Sequence, residues 1–163
     1  MLIIIALTLT GCYDTLQNFF YPADEYLDIG NGREVRLHCL APCPPHEDLR
    51  TAMRLVATQI QPHLSYDVYS RWKHYSMTFN DEVLTYNGQQ FLGATLHNVP
   101  AIVIWTEYEC DAPRAVCPNV LGYELKLAAI EKELPMSTEA EKIQWLTDRG
   151  IQNIQWSRQD FTK

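Results

Sequence analysis

The sequence predicts a single α+β domain, in which an antiparallel or mixed sheet has one helix before it and a buried helix after it. Residues 92–106 form the most strand-like run of the chain. Residues 118–134 repeat apolar side chains at steps of three and four, which is the period of a helix. The Asn87-Gly88 pair is a strong signal for a two-residue hairpin.

The first part of the domain is predicted to hold a strand and then a helix. A glycine turn at residues 30–32 leads into an alternating pattern at residues 35–39, which indicates a strand. A helix follows from His46 to near Pro62, with two acids in its first turn, where the helix dipole favours negative charge. Its apolar side chains share one face, which should lie against the sheet.

The middle of the chain is predicted to supply most of the strands, at residues 65–72, 76–86, 89–92, 94–97 and 101–105. The Asn87-Gly88 turn should pair residues 83–86 with residues 89–92. The unbroken apolar run at residues 101–105 suits a strand that is buried on both faces.

The helix predicted at residues 118–134 is mostly apolar around its circumference. Pro118 suits its first position, and Pro135 disfavours helical geometry at the residue before it. We expect Lys126 and the charged residues 131–133 to form the solvent-facing side. A last helix should begin at the Thr138–Glu141 capping box and end at Gly150.

The helix predicted at residues 118–134 carries a motif that resembles that of a known family. The segment Gly122-Tyr123-Glu124-Leu125-Lys126-Leu127 resembles the Gly-His-Glu-Leu-x-His helix of zincin metallopeptidases, with the glutamate kept and both histidines replaced. Histidines four apart on a helix share a zinc ion, and the glutamate between them activates the bound water. Tyr123 and Leu127 cannot supply those ligands.

The resemblance therefore implies a degenerate zincin-like domain without a metal site, in which Glu124 is a weak catalytic candidate. The predicted order of a helix, several strands, an edge strand and this helix is that of the minimal zincin domain. The alternative is an unrelated α+β domain whose helix is an ordinary amphipathic one.

The first twelve residues are apolar and too short to span a bilayer, as in the hydrophobic part of an export signal. Leu9-Thr10-Gly11-Cys12 resembles the bacterial lipobox, in which the cysteine is acylated and becomes the first residue of the mature chain. No Lys or Arg precedes the apolar run, which departs from that pattern and suggests a misplaced start codon or an unusually short signal. The alternative interpretation is a buried N-terminal strand.

The lipobox resemblance divides the chain into a signal peptide (1–11), a lipidated tether (12–26) and the domain (27–163). It implies palmitate or a similar lipid on Cys12 and membrane attachment through that anchor. Because no Asp follows Cys12, analogy with Gram-negative sorting implies an outer-membrane lipoprotein that faces the periplasm.

The four cysteines beyond Cys12 predict disulfide bonds. Cys39, Cys43, Cys110 and Cys117 are an even number in an exported chain, which favours two bridges. Three pairings are open, and we favour the two local ones because each pair brackets a loop that contains proline. A zinc ribbon is the alternative, although neither pair has CxxC spacing.

The composition excludes some partners and leaves three functions open. A formal charge of −7 leaves no basic patch, so nucleic acid is a poor partner. We expect no cofactor, because no phosphate-binding or dinucleotide motif occurs. The favoured function is a non-catalytic binding or accessory protein of the cell envelope with a protein partner there. The alternatives are a hydrolase with its site around Glu124, and a structural part of an envelope-spanning assembly bound through Trp72, Tyr108 and Trp156.

Overall fold

The computed structural model describes residues 23–40, 43–80, 84–96, 99–105 and 118–151. These residues form an α+β domain, which confirms the predicted fold class. The strands are β1 (Glu25–Gly30), β2 (Arg33–Cys39), β3 (Ser76–Asn80), β4 (Leu84–Tyr86), β5 (Gln89–Phe91), β6 (Gly93–Leu96) and β7 (Ala101–Trp105). The helices are α1 (His46–Ile60), α2 (Val68–Trp72), α3 (Pro118–Ile130) and α4 (Glu139–Asp148), with a 3₁₀ turn at Gln61–His63.

Five strands form one mixed sheet in the order β1-β2-β3-β7-β6. The three central strands run parallel to one another, whereas β1 and β6 pair with their neighbours in the antiparallel sense. Within the described ranges, β1 and β6 are therefore the two edges of the sheet. The remaining strands, β4 and β5, pair only with each other.

The core lies between one face of the sheet and the helices. Leu37, Met77 and Ile102 occupy the same register on the three parallel strands, and all three are fully buried. Burial of a large apolar side chain contributes about 1.5–3 kcal/mol, so this row is a main source of stability. The same register brings Thr95 of β6 onto the core face.

Several local predictions are confirmed. The β4–β5 hairpin turns at Asn87 and Gly88, whose φ angles of 51° and 77° are those of a type I′ turn. The Thr138 hydroxyl accepts a hydrogen bond from the Glu141 N–H, and the Glu141 carboxylate accepts one from the Thr138 N–H, as the capping box predicts.

The strand predicted at residues 65–72 is wrong, because residues 68–72 form helix α2. Asp67 caps this helix by accepting a hydrogen bond from the Tyr69 N–H at 3.1 Å. The Gln61 side chain binds on both sides of the cap, donating to the Tyr66 carbonyl and accepting from the Val68 N–H. These side-chain contacts outweigh the strand preference of the aromatic and β-branched residues.

The position of Trp72 corrects a second prediction. This side chain was expected to be an exposed contact for a partner, but it is fully buried. Its indole N–H donates to the Leu125 carbonyl of α3 at 2.9 Å. A buried indole needs such a partner, and α3 supplies it.

Helix α3 also ends earlier than predicted, at Ile130 rather than Leu134. The Ile130 carbonyl accepts hydrogen bonds from both Glu133 N–H and Leu134 N–H, so the chain tightens into turns there. Pro135 disfavours the helical conformation at the residue before it, which prevents a further helical turn. None of the helices in the described ranges has the length and apolar character that a membrane-spanning helix needs.

The buried indole contact gives a stability prediction. Trp72→Phe removes the only polar atom of the side chain and leaves the Leu125 carbonyl without that donor. We expect the free energy of unfolding to fall by about 1–3 kcal/mol, as measured by denaturant titration.

Trp145→Phe is the matched control, because Trp145 is only half-buried and its ring lies under Arg149 at the surface. A loss for Trp72→Phe no larger than that of the control would contradict the structural role assigned to the indole.

Candidate functional site

The predicted motif helix α3 meets the edge strand β6 at a close contact around Glu124. The Glu124 side chain is only 4% exposed. Gly93 and Thr95 of β6 lie on the core face and contact it. We name this contact, formed by Gly93, Thr95, Val120 and Glu124, the β6–α3 contact.

Glycine at position 93 makes the close approach of strand and helix feasible. A Cβ atom built there would lie 2.7 Å from Val120 Cγ1 and 3.0 Å from Glu124 Oε1. Real Cβ atoms essentially never approach another heavy atom as closely as 2.7 Å, so a larger residue would force Val120 or the strand to shift. The side chains of α3 therefore fill the space between helix and strand.

Thr95 binds Glu124 twice. Its Oγ1 lies 3.0 Å from the Glu124 carbonyl oxygen and 2.5 Å from Glu124 Oε2. A hydroxyl carries one hydrogen, so it donates fully to only one of these acceptors. Both bonds form when Thr95 donates to the carbonyl and a protonated Glu124 carboxyl donates to Oγ1. The geometry therefore favours a neutral Glu124.

The electrostatics act in the same direction. Burial, with a smaller contribution from the nearby Glu139 carboxylate, raises the pKa of Glu124 from its usual range to about 7. A hydrogen bond donated by Thr95 to the carboxylate would oppose this rise. In the arrangement described above, Thr95 instead accepts from the neutral acid and does not stabilise the ionised form.

The two positions where zincins have histidines face different surroundings from Glu124. The Tyr123 hydroxyl donates to Glu139 Oε1 of α4 at 2.5 Å, and its side chain is half-buried. Leu127 is 6% exposed. Thus Tyr123 connects α3 to α4, whereas Glu124 connects α3 to β6.

These residues do not fit the zinc ion that the family motif would hold. Burial and the Glu139 carboxylate raise the pKa of the Tyr123 phenol above its ordinary value, so the phenolate form that would bind a metal is disfavoured. Leu127 has no ligand atom. In the part of the chain that the structure describes, no group of three His, Cys, Asp or Glu side chains is placed to hold a metal ion.

One ionisable residue of α3 was misjudged from the sequence. Lys126 was predicted on the solvent-facing side, but it is 2% exposed, and burial lowers the pKa of its ammonium to about 8. Helix α3 contacts β6, β7 and the described helices α1, α2 and α4, which cover the side that carries Lys126. The sequence signal for this burial was the set of small and apolar residues around the circumference of the helix.

The predicted cysteine pair nearest the N-terminus forms a disulfide. Cys39 at the end of β2 is bonded to Cys43, and both pack against the core. The bridge supports the start of α1 and is not part of the β6–α3 contact. Cys12, Cys110 and Cys117 lie outside the described residues, as do Tyr108 and Trp156.

Comparisons of this chain with protein-family models, with curated proteins and with solved structures find no match.

The β6–α3 contact predicts a pH dependence of stability. Because the pKa of Glu124 in the folded protein, about 7, lies above its ordinary value of 4.5, the stabilising contribution of its neutral form is fully present below about pH 4.5. That contribution is lost as the pH rises through about 7. One pKa unit corresponds to about 1.4 kcal/mol, so the loss is on the order of 3 kcal/mol.

Glu124→Gln keeps the shape of the side chain and cannot ionise. We therefore expect the free energy of unfolding of this variant to lack the fall of about 3 kcal/mol when denaturation is measured from pH 4 to pH 8. Glu34→Gln, at an exposed position on β2, is the control, and its free energy of unfolding should still fall with rising pH. An unchanged pH profile in Glu124→Gln would show that the carboxyl does not titrate as argued.

Proposed function

We propose that this protein is a non-catalytic, lipid-anchored accessory component of the cell envelope, whose domain has a zincin-like arrangement. The observation that carries the proposal is the closed β6–α3 contact. In this contact the glutamate of the motif is used for packing and for a hydrogen bond to Thr95.

The order of elements supports a zincin-like arrangement. Helix α1 follows β1 and β2 and precedes the central strands β3 and β7, the antiparallel edge strand β6 precedes β7, and α3 with Glu124 follows. The edge strand lies directly beside the motif helix, where a zincin has its cleft. The zincin likeness rests on this order and on the motif Gly122-Tyr123-Glu124-Leu125.

The environment of Glu124 supports a non-catalytic role. A general base must reach the proton that it removes, directly or through one water molecule. Here Thr95 occupies the hydrogen-bonding side of the carboxyl, and Gly93 packs against its Oε1 and Cγ atoms. Such a group stabilises the join between helix and strand and has no free direction toward a substrate.

One observation favours the hydrolase alternative. A carboxyl with a pKa near 7 is suited to acid–base catalysis at neutral pH. We favour the accessory role because the same burial that raises the pKa also separates the carboxyl from solvent. The third function, a structural part of an assembly, loses one of its three proposed contacts because Trp72 is buried.

The location in the envelope rests on the N-terminal motif and on the disulfide. Lipid chains on Cys12 would supply the anchor without a membrane-spanning helix. The Cys39–Cys43 bridge is of the kind that persists in oxidising compartments such as the periplasm. A protein partner in the same compartment completes the proposal.

The lipid anchor gives a direct prediction. Cys12→Ala removes the sulfur that would be acylated, so the full chain should move from the membrane fraction to the soluble fraction of cells. Cys43→Ser is the control, because it changes a cysteine of the domain and should leave membrane association intact. Unchanged fractionation of Cys12→Ala would rule out the proposed anchor.

The zincin-like arrangement gives a second prediction, on metal binding. The natural chain should bind no stoichiometric zinc, whereas Tyr123→His combined with Leu127→His should gain zinc binding. The two histidines would lie one above the other on α3, and the Glu139 carboxylate beside position 123 is available as a third ligand.

Ile143→His with Thr147→His places the same pair on an exposed part of α4 and is the control. We expect zinc to bind at least about tenfold more weakly there, because only two ligands converge. Equal affinity of the two pairs would contradict the zincin-like placement. Stoichiometric zinc in the natural chain, or peptidase activity lost in Glu124→Ala, would contradict the non-catalytic role.

A further inference from the structure

A cleft of about 450 Å³ lies at the opposite edge of the sheet from the β6–α3 contact. It is bounded by the end of β1, one side of α1 and Tyr69 of α2. Its volume is within the range of about 300–1,000 Å³ that small-ligand sites occupy. We name it the β1–α1 cleft.

Most charged groups of this cleft are already paired. The Asp28 carboxylate accepts a hydrogen bond from the Gly30 N–H at 2.7 Å. Arg50 donates from Nε to the Asp28 carbonyl at 3.0 Å, and its guanidinium lies 3.4 Å from the Glu47 carboxylate. Arg50 is therefore held in place by two elements, and each of the two carboxylates accepts one hydrogen bond.

Arg54 differs from these residues. Within the described ranges, its guanidinium makes no hydrogen bond and no ion pair, although its side chain lines the cleft. It follows Arg50 by four residues, so both guanidinium groups belong to the same side of α1. The Arg54 charge also acts on the Tyr69 phenol, whose pKa burial raises and Arg54 lowers, so the two groups are close.

Ile29, Met53 and Tyr69 supply the apolar part of the lining. Ile29 packs against the core, and Met53 forms part of the buried floor. The Tyr69 ring is held edge-on against Trp72, with ring centroids 5.3 Å apart and an interplanar angle of 85°. An apolar group that entered the cleft would thus meet fixed surfaces beside an unpaired positive charge.

We propose that the β1–α1 cleft binds an anionic ligand that carries a carboxylate next to an apolar group. Arg54 pairs with the carboxylate, and the half-buried Tyr69 and Ile29 contact the apolar group above the buried Met53. An arginine fork matches a carboxylate in geometry and charge, which gives the site its selectivity. Two sources share this chemistry, namely the C-terminus of a peptide and a free alkyl acid.

Titration of the full chain with defined probes tests this site. The probes are octanoate, the tripeptide acetyl-Ala-Leu-Phe with a free carboxylate, and the same tripeptide with an amidated C-terminus. Amide chemical shifts of Gly30, Thr51 and Tyr69 report binding at the cleft itself. We expect saturable shifts with at least one free carboxylate and none with the amide, and the better-binding acid identifies the source.

Variants of the chain assign the interaction to Arg54. Arg54→Gln should weaken binding of the carboxylate probe by about tenfold or more, because it removes a charge-assisted hydrogen bond. Lys73→Gln is the matched control, since it removes one positive charge at an exposed position outside the cleft and should leave the affinity unchanged.

Three results would overturn the proposal: no saturable shift with either free carboxylate, equal binding of the amide, or an affinity that Arg54→Gln leaves unchanged. Folding of the variant is verified by its unperturbed core shifts. Because the β1–α1 cleft and the β6–α3 contact lie at opposite edges of the sheet, failure here leaves the role proposed for Glu124 unaffected.

Discussion

The position of helix α3 depends on side chains that hydrogen-bond to its main-chain carbonyls. Thr95 of β6 donates to the Glu124 carbonyl, Trp72 of α2 donates to the Leu125 carbonyl, and Tyr66 donates to the Ala129 carbonyl. These donors approach from two segments, strand β6 and residues 66–72, so together they determine how α3 is rotated and how deeply it lies. With that rotation, position 124 faces the edge strand and position 123 faces α4.

The two edge strands of the sheet have different surroundings. At β6, a glycine lets the helix approach until side chains fill the space, and one threonine satisfies two glutamate oxygens. At β1, Arg50 binds the main-chain carbonyl of Asp28, and a cleft lies beside the strand.

Burying ionisable groups in α3 has an energetic consequence for the whole domain. Glu124 and Lys126 lie two residues apart on a helix that is enclosed by strands and helices, and burial shifts both pKa values toward the neutral forms. An apolar residue at either position would avoid this desolvation. Because these groups are ionisable, the stability of the contact between β6 and α3 depends on the pH of the compartment.

The sequence by itself determined the features that depend on neighbours along the chain. These were the α+β class, the Asn87-Gly88 hairpin and the Thr138–Glu141 cap, and the Cys39–Cys43 bridge belonged to the favoured one of three open pairings. Only the tertiary structure decided that residues 68–72 are helical, that α3 stops at Ile130, and that Trp72, Glu124 and Lys126 are buried. Those outcomes depend on partners such as Gln61, Leu125 and Gly93, which a periodic pattern within one segment cannot reveal. A sequence period shows which residues share a face, but the number of faces that become covered is set by the elements that pack around the helix.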